Sequence, residues 1–434
     1  MKKQKLAIVT LGCSKNLVDS EDIASRVYGK YDITFSDQEE ADIVVLNTCG
    51  FILDAKEESI NTIIEYVNMK EEGRIKQLFV FGCLSERYKA ELEKEIPEVD
   101  QYFGVNDFKD ILDRLECGEH KNEPLMEART ISTPRHTAYI KIAEGCNRMC
   151  AFCAIPYIRG HYISRPMEQI VDEVRRLAES GTREFNIIAQ DLSFYGKDLY
   201  GDFRLPELVR QMAAIPEVHW IRLHYTYPNN FPLETLDIMR DNPKVCKYLD
   251  IPLQHINDNV LSKMRRGHTK AETLALLKKF REEIPDIALR TSLMVGFPGE
   301  TDKAFDELVE FVKEARFDRM GVFQYSAEEG TYSAENYRDS ISKKKKGERA
   351  DYIMRIQQRI SLDLNLKKVG KIFEILIDRE EGNYFVGRTQ YDSPEVDCEV
   401  LVNKSDAPKF SVGNFYMVKV TDAEEFDLYA VPAE

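Results

Sequence analysis

The stretch AYIKIAEGCNRMCAFC, residues 138–153, joins a short apolar run to three cysteines in the spacing C-x3-C-x2-C. Its first six residues predict a buried strand, and Cys146, Cys150 and Cys153 lie in the loop directly after it. Three thiolates so close in sequence can bind one metal centre, and a four-iron cluster held by three cysteines keeps one iron open for a small molecule. A zinc site would usually add a matching fourth Cys or His, and none follows within reach of Cys153. The stretch therefore indicates an iron–sulfur cluster, because incidental cysteines rarely show this dense spacing.

The region from Ala138 to about Tyr325 alternates predicted strands with predicted helices. The strands are expected at Tyr139–Ala143, Glu184–Ala189, His219–His224, Tyr248–Leu253, Ala288–Gly296 and Arg319–Tyr325. The helices are expected at Met167–Glu179, Pro206–Ala214, Leu233–Arg240, Asp258–Met264, Ala271–Glu283 and Asp302–Ala315. Six such units predict an α/β barrel of the TIM type, full or slightly open, with its site at the carboxyl ends of the strands. The three-cysteine loop follows the first strand and is expected at that site.

Residues 1–118 repeat one pattern three times: a short apolar strand, a cysteine just beyond it, and a helical stretch. The strands are predicted at Leu6–Thr10, Ile43–Leu46 and Leu78–Phe81, and the cysteines are Cys13, Cys49 and Cys83. Strands that alternate with helices predict a parallel α/β sheet, whose strand carboxyl ends meet at one edge. We therefore expect the three cysteines to converge and favour a second three-thiolate cluster. Packing of small residues in turns is the alternative.

Three further segments complete the predicted organisation. Residues 119–137 are polar, contain two prolines and predict a linker. Residues 326–365 predict a connecting helical segment, in which the run Lys343–Lys346 is expected to be solvated and an apolar stripe to dock on the barrel. Residues 366–434 predict a small antiparallel β-barrel of the oligonucleotide-binding type. Its five strands are expected at Ile372–Ile377, Tyr384–Arg388, Asp397–Val402, Phe415–Val420 and Leu428–Val431.

The composition is that of a soluble protein of two or three domains, with 43% hydrophobic and 31% charged residues in 434. No apolar run approaches the roughly 18 residues of a membrane span, so we expect no membrane partner, and the first residues predict a strand and not a cleaved leader. Nine cysteines without an export signal are typical of the reduced cytoplasm. The net charge of −15 argues against broad wrapping of nucleic acid.

An open-iron cluster at a barrel mouth is suited to S-adenosylmethionine, whose amino and carboxylate groups chelate that iron. Cys146, Cys150 and Cys153 resemble the signature of the radical S-adenosylmethionine superfamily. Cys13, Cys49 and Cys83, with a β-rich carboxyl-terminal module that resembles a TRAM domain, extend the resemblance to methylthiotransferases over essentially the whole chain. The stretches LGCSKN at 11–16 and CNRMCAFCAIP at 146–156 are similar to the branch of this family that modifies a ribosomal protein.

This resemblance implies a radical-SAM methylthiotransferase that replaces a hydrogen on the β-carbon of an aspartate in ribosomal protein S twelve with a methylthio group. It implies two 4Fe-4S clusters and S-adenosyl-L-methionine as cofactors. One cluster, on Cys146, Cys150 and Cys153, would make the adenosyl radical, and the other, on Cys13, Cys49 and Cys83, would carry the sulfur. The partners would be S twelve, free or in the small subunit, and an electron donor such as flavodoxin or ferredoxin.

The resemblance also places the cosubstrate at the ends of two barrel strands. The residues expected to contact S-adenosylmethionine are Gln190, Asp191, Arg290, Ser292 and Gly296. An N-cap is the alternative for the first two of these residues, and a structural ion pair for the arginine. His224 and His255 are expected to be structural, and no chemistry is assigned to Cys117, Cys246 and Cys398.

Two other functions compete with this hypothesis. The nearer one is the same chemistry on a tRNA adenosine, for which the carboxyl-terminal module should be basic. From Lys367 onward the chain has 8 basic and 14 acidic residues, which favours a basic protein partner. The other is a non-catalytic iron–sulfur redox protein, which would not explain an open-iron loop at the mouth of a barrel.

Overall fold

The computed structural model describes residues 3–36, 41–115 and 129–433, so Cys117 and residues 119–128 of the predicted linker lie outside the description. The chain divides into two compact units. The amino-terminal unit comprises the described part of Met1–Thr133 together with Glu144–Asn147 and Cys153–Ile163. The second unit comprises Pro134–Ala143, Arg148–Phe152 and Ser164–Glu434. Within the described ranges, no helix is both long and apolar enough to cross a membrane.

A five-stranded parallel sheet forms the amino-terminal unit. Its strands are β1 (Lys5–Thr10), β2 (Asp32–Thr34), β3 (Ile43–Thr48), β4 (Gln77–Gly82) and β5 (Gln101–Tyr102), in the order β2-β1-β3-β4-β5. Its helices are α1 (Ser14–Val27), α2 (Leu53–Glu71), α3 (Cys83–Glu95), α4 (Phe108–Arg114) and α5 (Ile155–Arg159). The three predicted strand–helix repeats are present as β1–α1, β3–α2 and β4–α3. Strands β2 and β5 were not predicted, because edge strands of three and two residues are too short to show a period.

The sheet of this unit is buried on both faces. Alternate residues of β1, β3 and β4 pack against α2 and α3 on one side and against α1 and α4 on the other. Such burial explains why the strands are almost continuously apolar, as in the run Ile43–Leu46. The result is a three-layer α/β/α arrangement in which the loops that carry Cys13, Cys49 and Cys83 follow neighbouring strands.

A six-stranded parallel sheet forms the core of the second unit. Its strands are β6 (Thr137–Lys141), β9 (Glu184–Ile188), β10 (Trp220–Leu223), β11 (Val245–Asp250), β12 (Ala288–Val295) and β13 (Arg319–Gln324). The short strands β7 (Ala143–Glu144) and β8 (Ile163–Ser164) do not belong to this sheet. The sheet has the order β13-β12-β11-β10-β9-β6, and all its neighbours are parallel. In the described chain β6 and β13 remain edges, so the barrel is open. All six predicted strands are confirmed.

Helices follow the strands of this sheet. They are α6 (Met167–Glu179), α7 (Lys197–Tyr200), α8 (Leu205–Ala213), α9 (Glu234–Asp241), α10 (Asp258–Lys263), α11 (Lys270–Glu283), α12 (Asp302–Ala315), α13 (Tyr332–Asn336) and α14 (Lys343–Leu366). Local sequence fixes several helix starts; Thr269 and Glu272, for example, form a capping box that begins α11.

Helix α14 corrects one expectation about the lysine run. Lys346 is only 5% exposed, and its Nζ donates to Tyr325 O at 2.9 Å and to Asp339 Oδ2 at 2.6 Å. Helical spacing places Lys346 on the same face as the buried Ala350 and Ile353, and this face packs on β13. The other three lysines are exposed, as expected.

The carboxyl-terminal residues form a closed five-stranded barrel. Its strands are β14 (Ile372–Glu381), β15 (Tyr384–Thr389), β16 (Glu399–Asn403), β17 (Phe415–Ala423) and β18 (Asp427–Pro432). Their order around the barrel is β14-β15-β16-β18-β17, and only the pair β16–β18 is parallel. All five predicted strands are confirmed. Inward-facing residues, including Ile375, Val400 and Val418, form its apolar core.

Buried ion pairs join this barrel to the beginnings of the sheet strands. Glu184, the first residue of β9, accepts two hydrogen bonds from Arg388 of β15, at 2.9 and 2.7 Å, and one from Arg222 at 3.0 Å. Arg319, the first residue of β13, pairs with Asp392 at 2.5 Å. The carboxyl-terminal barrel therefore covers the amino ends of these strands and leaves their carboxyl ends for the site.

Candidate active site

Two glycines allow the three amino-terminal cysteine loops to pack together. A Cβ added to Gly12, where φ is +90°, would lie 2.7 Å from Cys49 Cβ and 2.9 Å from its Sγ. A Cβ added to Gly50 would lie 2.7 Å from the Leu84 backbone, directly after Cys83. The structure thus brings the loops of Cys13, Cys49 and Cys83 into contact with each other at the carboxyl ends of β1, β3 and β4.

Buried polar side chains form hydrogen bonds to these loops. The Asn16 side chain, 0% exposed, donates to Leu11 O at 2.9 Å and to Thr48 O at 3.3 Å, so it bridges the first two cysteine loops. Its Oδ1 lies 3.8 Å from Cys83 Sγ, which donates to it. The side chain of Ser59 closes the second loop, because its Oγ accepts from the Cys49 backbone N–H at 3.0 Å. Hydrogen bonds of Asn16 therefore link the three cysteine loops to one another.

The thiols of this group are shielded from water to different degrees. Cys49 and Cys83 are buried, and Cys13 is exposed. Burial raises the pKa of Cys83 to about 11, against the opposing effect of Arg159, and burial likewise raises the pKa of Cys49. Metal coordination overcomes such a shift, because a bound cation favours the thiolate. Three cysteine thiols from neighbouring loops are the ligand type that binds a four-iron cluster. Among the described residues, no three His, Cys, Asp or Glu side chains are grouped closely enough to hold a single metal ion.

The segment after Cys153 lies beside Cys83 in the same unit. Cys83 packs against Ala154, Ile158 and Val105 in one small apolar cluster. Cys146 is fixed through its backbone, since its N–H donates to Gly160 O at 3.1 Å. Because Ala154 is the neighbour of Cys153 in the chain, the segment that ends the second cysteine motif adjoins the first cysteine group.

Cys150 belongs to the second unit, where an arginine and a tyrosine surround its sulfur. Arg266 Nη1 donates to Cys150 Sγ at 3.2 Å, and Tyr227 Oη lies 3.6 Å from it. The Arg266 guanidinium also stacks over the Tyr227 ring at 4.2 Å, while Arg148 stacks over the same ring at 4.1 Å. The Cys150 sulfur therefore lies in electropositive, partly exposed surroundings formed by Arg266, Arg148 and Tyr227.

The two candidate cosubstrate residues after β9 differ in their surroundings. Gln190 lies partly exposed at the carboxyl end of the strand. Asp191 is 2% exposed, pairs with Arg148 Nε at 2.6 Å and accepts the Ser193 N–H at 2.9 Å. Burial raises the pKa of Asp191, against the opposing effect of Arg148. Asp191 therefore caps the short turn Leu192–Phe194, the alternative that the sequence allowed.

The candidates on β12 lie at different depths. Arg290 near the start of the strand pairs with Asp397 at 3.3 Å and with Asp250 at 3.5 Å, so it has the structural ion pairs that were its alternative role. Ser292 is half-buried, and its carbonyl accepts from Gln254 N at 2.9 Å.

Gly296 lies at the carboxyl end of β12 with φ +76°. A Cβ there would lie 2.3 Å from Lys346 Cγ, so the side chain of α14 covers this turn. The Gly296 N–H donates to the buried Glu300, which also binds Arg349 at 2.8 Å and lies 3.5 Å from His255. Only glycine fits between the turn and Lys346.

The two histidines considered in the sequence analysis, and two cysteines outside both motifs, have structural surroundings. His224 lies 3.4 Å from Asn186 Oδ1 and 3.5 Å from Ser393 Oγ, and His255 faces Glu300. Cys246 and Cys398 are buried in β11 and just before β16, away from both cysteine motifs in sequence. His224 has buried polar neighbours, and His255 Nδ1 accepts the Asn257 backbone N–H at 3.0 Å, which agrees with the structural role expected for both histidines.

Four charged and aromatic residues around the thiols were not predicted from the sequence. These are Arg148, Arg159, Tyr227 and Arg266. Two of them left a signal, because Arg148 lies inside the C-x3-C-x2-C motif and Arg159 six residues after it. Tyr227 and Arg266 come from distant loops, and only the fold places them beside Cys150.

Three family models match the chain. The radical SAM superfamily matches residues 140–312, the uncharacterized protein family UPF0004 matches residues 5–104, and the TRAM domain matches residues 369–432. Among solved structures, the radical S-adenosylmethionine methyltransferase TsrM from Kitasatospora setae, with tryptophan and a SAM analogue, matches with a TM-score of 0.56. It is 13% identical and covers 88% of this chain and 79% of its own. At this identity the match supports the fold alone.

Curated relatives match over the whole length. The protein "Ribosomal protein uS12 methylthiotransferase RimO" of Phocaeicola vulgatus is 55% identical over 432 residues, with 99% of each chain covered. The protein of the same name from Parabacteroides distasonis is 55% identical over 431 residues, again with 99% of each chain covered. That from Christiangramia forsetii is 50% identical and covers 100% of this chain and 95% of its own.

The open barrel, its cysteine loop and the match to the superfamily define a radical S-adenosylmethionine enzyme. Full-length identity of 50–55% resolves the class further. The chain belongs to the RimO family of methylthiotransferases.

Proposed function

We propose that this chain replaces a hydrogen on the β-carbon of an aspartate of ribosomal protein uS12 with a methylthio group, the protein named as the substrate of its relatives. The observation that carries the proposal is the packing of Cys83 against Ala154 and Ile158. It places the amino-terminal cysteine group beside the segment that directly follows Cys153. A sulfur-carrying centre and a radical-generating centre must be neighbours for one substrate carbon to meet both.

The six cysteines are the proposed ligands of two 4Fe-4S clusters, one on Cys146, Cys150 and Cys153 and one on Cys13, Cys49 and Cys83. When bound, the clusters and S-adenosyl-L-methionine would supply the radical that removes the hydrogen, and the sulfur and methyl group that replace it. Gln190, Ser292 and Gly296 are proposed to contact the cosubstrate directly. Asp191 is proposed to act through Arg148, and Arg290 to shape the site through its two carboxylate partners.

The carboxyl-terminal barrel is proposed to bind the substrate protein, free or in the small subunit. Its surface carries Glu380, Glu381, Glu424 and Glu425, and the segment from Lys367 onward has a net charge of −6. An acidic surface attracts a basic partner and disfavours RNA.

The proposal further includes an electron donor, such as flavodoxin or ferredoxin, and a cytoplasmic location. The boundaries proposed for the domains are those of the sequence analysis: 1–118, 138–325 and 366–434, with the linker 119–137 and the helical segment 326–365.

The test is anaerobic reconstitution with iron, sulfide, S-adenosylmethionine and reductant, with purified uS12 in one reaction and tRNA in another. Mass spectrometry of both should detect a methylthio mass gain on an aspartyl peptide of uS12 alone. A gain on tRNA and none on the protein would overturn the assignment of the substrate.

The division of labour between the cysteine groups has its own test. Cys13→Ala should still cleave S-adenosylmethionine reductively but should fail to transfer sulfur, whereas Cys150→Ala should lose both reactions. Equal loss of cleavage in the two variants would contradict separate roles.

A further inference from the structure

Arg159 is a buried arginine that no step of the proposed function uses. It ends helix α5, and its side chain is 3% exposed. Its Nη1 donates to Asp19 Oδ2 at 3.0 Å and to Glu144 Oε2 at 2.9 Å, and its Nη2 donates to Asn16 Oδ1 at 2.6 Å. A buried guanidinium is costly unless its donors are satisfied, so this arrangement fixes its position closely.

The position of Arg159 is beside the amino-terminal thiols. Asn16 Oδ1, which accepts from Arg159, also accepts from Cys83 Sγ at 3.8 Å. The Arg159 guanidinium interacts electrostatically with the side chains of Cys83, Cys49 and Cys13. One permanent positive charge therefore faces all three thiols of the group.

The two carboxylates that bind Arg159 do not cancel this charge at the thiols. Asp19 and Glu144 are 18% and 30% exposed, so water screens them, while the guanidinium lies in the dry interior against Cys83. Hydrogen bonds to the ligand sulfurs, net charge and solvent exposure set the reduction potential of an iron–sulfur cluster. A fixed cation stabilises the state with more negative charge, which is the reduced state.

We propose that Arg159 is the positioning residue of the amino-terminal cluster, which orients the Cys83 sulfur and raises the reduction potential of the cluster with its buried charge. This inference rests on the proposed function, because it takes Cys13, Cys49 and Cys83 as cluster ligands. It goes beyond that function by assigning a specific residue to the control of charge at the sulfur-carrying site. Arg159 also connects this control to the segment that follows Cys153, since it lies on that segment.

The test uses the full chain with Cys146, Cys150 and Cys153 replaced by Ala, so that only the amino-terminal thiols can hold a cluster. After anaerobic reconstitution, iron content and the midpoint potential are measured for the parent and for Arg159→Met. The expected result is a more negative midpoint potential and, as for other residues that support metal ligands, about 10–100-fold weaker iron binding. Arg114→Met on α4 removes the same charge from an exposed site and should leave both quantities unchanged.

A second variant keeps the proposal testable if Arg159→Met does not fold. Asp19→Asn removes one carboxylate from the guanidinium and should shift the midpoint potential in the opposite, more positive direction. Combined with Arg159→Met, the same substitution should have a smaller effect, because the charge that it unmasks is gone. Arg159→Lys should restore most of the potential without the full set of hydrogen bonds.

The outcomes separate this inference from the function on which it rests. A parent protein that binds no iron at the remaining thiols overturns both. Iron binding with an unchanged potential in Arg159→Met, or with equal shifts in Arg114→Met, overturns the role of Arg159 alone and leaves the two-cluster proposal standing.

Discussion

Substitution of Glu184 should destabilise the interface between the carboxyl-terminal barrel and the central sheet. Glu184 is 0% exposed and binds two arginines that are 0% and 3% exposed, Arg222 and Arg388. Glu184→Gln keeps the size and shape of the side chain but removes the negative charge between two buried guanidinium groups. The new amide N–H₂ group is a donor, so it cannot accept the hydrogen bonds that these arginines donate. Breaking a buried ion pair from one side costs about 3–5 kcal/mol. We expect a loss of this size in the free energy of unfolding.

The single tryptophan of the chain reports on this interface. Trp220 begins β10, is 2% exposed and packs edge-on against Phe415 of the carboxyl-terminal barrel, with ring centroids 4.9 Å apart. Its fluorescence during equilibrium unfolding in urea therefore follows this interface. The control is Glu207→Gln, since the Arg204–Glu207 pair is 42% and 45% exposed and should contribute less than about 1 kcal/mol.

The pH dependence gives this prediction a sign. Burial disfavours the charged form of Glu184, but Arg388 and then Arg222 outweigh burial and hold its pKa far below the ordinary value. A lowered folded-state pKa contributes stability above the unfolded-state pKa of about 4.3, and this stability is lost as the pH falls through the folded-state pKa. The difference between wild type and Glu184→Gln should therefore be constant at neutral pH and shrink in acid. A variant that unfolds like the wild type at pH 7, or a difference that grows in acid, would refute the reasoning.

Three further changes should have measurable effects. Arg266→Gln removes the donor to Cys150 and, in a chain that lacks the amino-terminal thiols, should weaken iron binding about 10–100-fold by iron analysis. Gly50→Ala places a Cβ 2.7 Å from the Leu84 backbone and should cost about 1–3 kcal/mol in unfolding experiments, with less iron at the amino-terminal thiols. Burial, aided by Arg266, lowers the pKa of His268 to about 4. Its stabilising contribution should be complete above about pH 6.5 and lost as the pH falls toward 4, which an NMR titration against His268→Gln can test.

Local patterns in the sequence predicted most of the elements. Apolar runs such as Ile43–Leu46 and helical periods such as Met167–Glu179 depend on neighbouring residues, and both elements are present. The meeting of the loops of Cys13, Cys49 and Cys83 was also predictable, although more than thirty residues separate each cysteine from the next. Parallel strands end at one edge of their sheet, so topology alone brings those loops together.

Contacts between distant residues could not be predicted in this way. Arg388 and Glu184 are 204 residues apart, and no sequence pattern near either residue predicts that the two are in contact. The same holds for Arg266 and Cys150, which are 116 residues apart. The sequence does not reveal that such charged strand residues are buried, because a buried charge is recognised only when its partner is known.

The pKa of Glu184 is strongly lowered, yet Glu184 does not belong to the candidate site. A shifted pKa alone therefore does not identify the site in this protein. Strongly shifted pKa values are often a sign of catalysis, but structural ion pairs shift them as well. Glu184 begins β9 and Gln190 follows its end, which separates them by about 20 Å along an extended strand. Glu184 thus lies at the opposite end of β9 from the proposed cosubstrate residue Gln190. Loss of activity in Glu184 variants should therefore follow the fraction of unfolded protein, whereas loss in Arg266 variants should occur in fully folded protein.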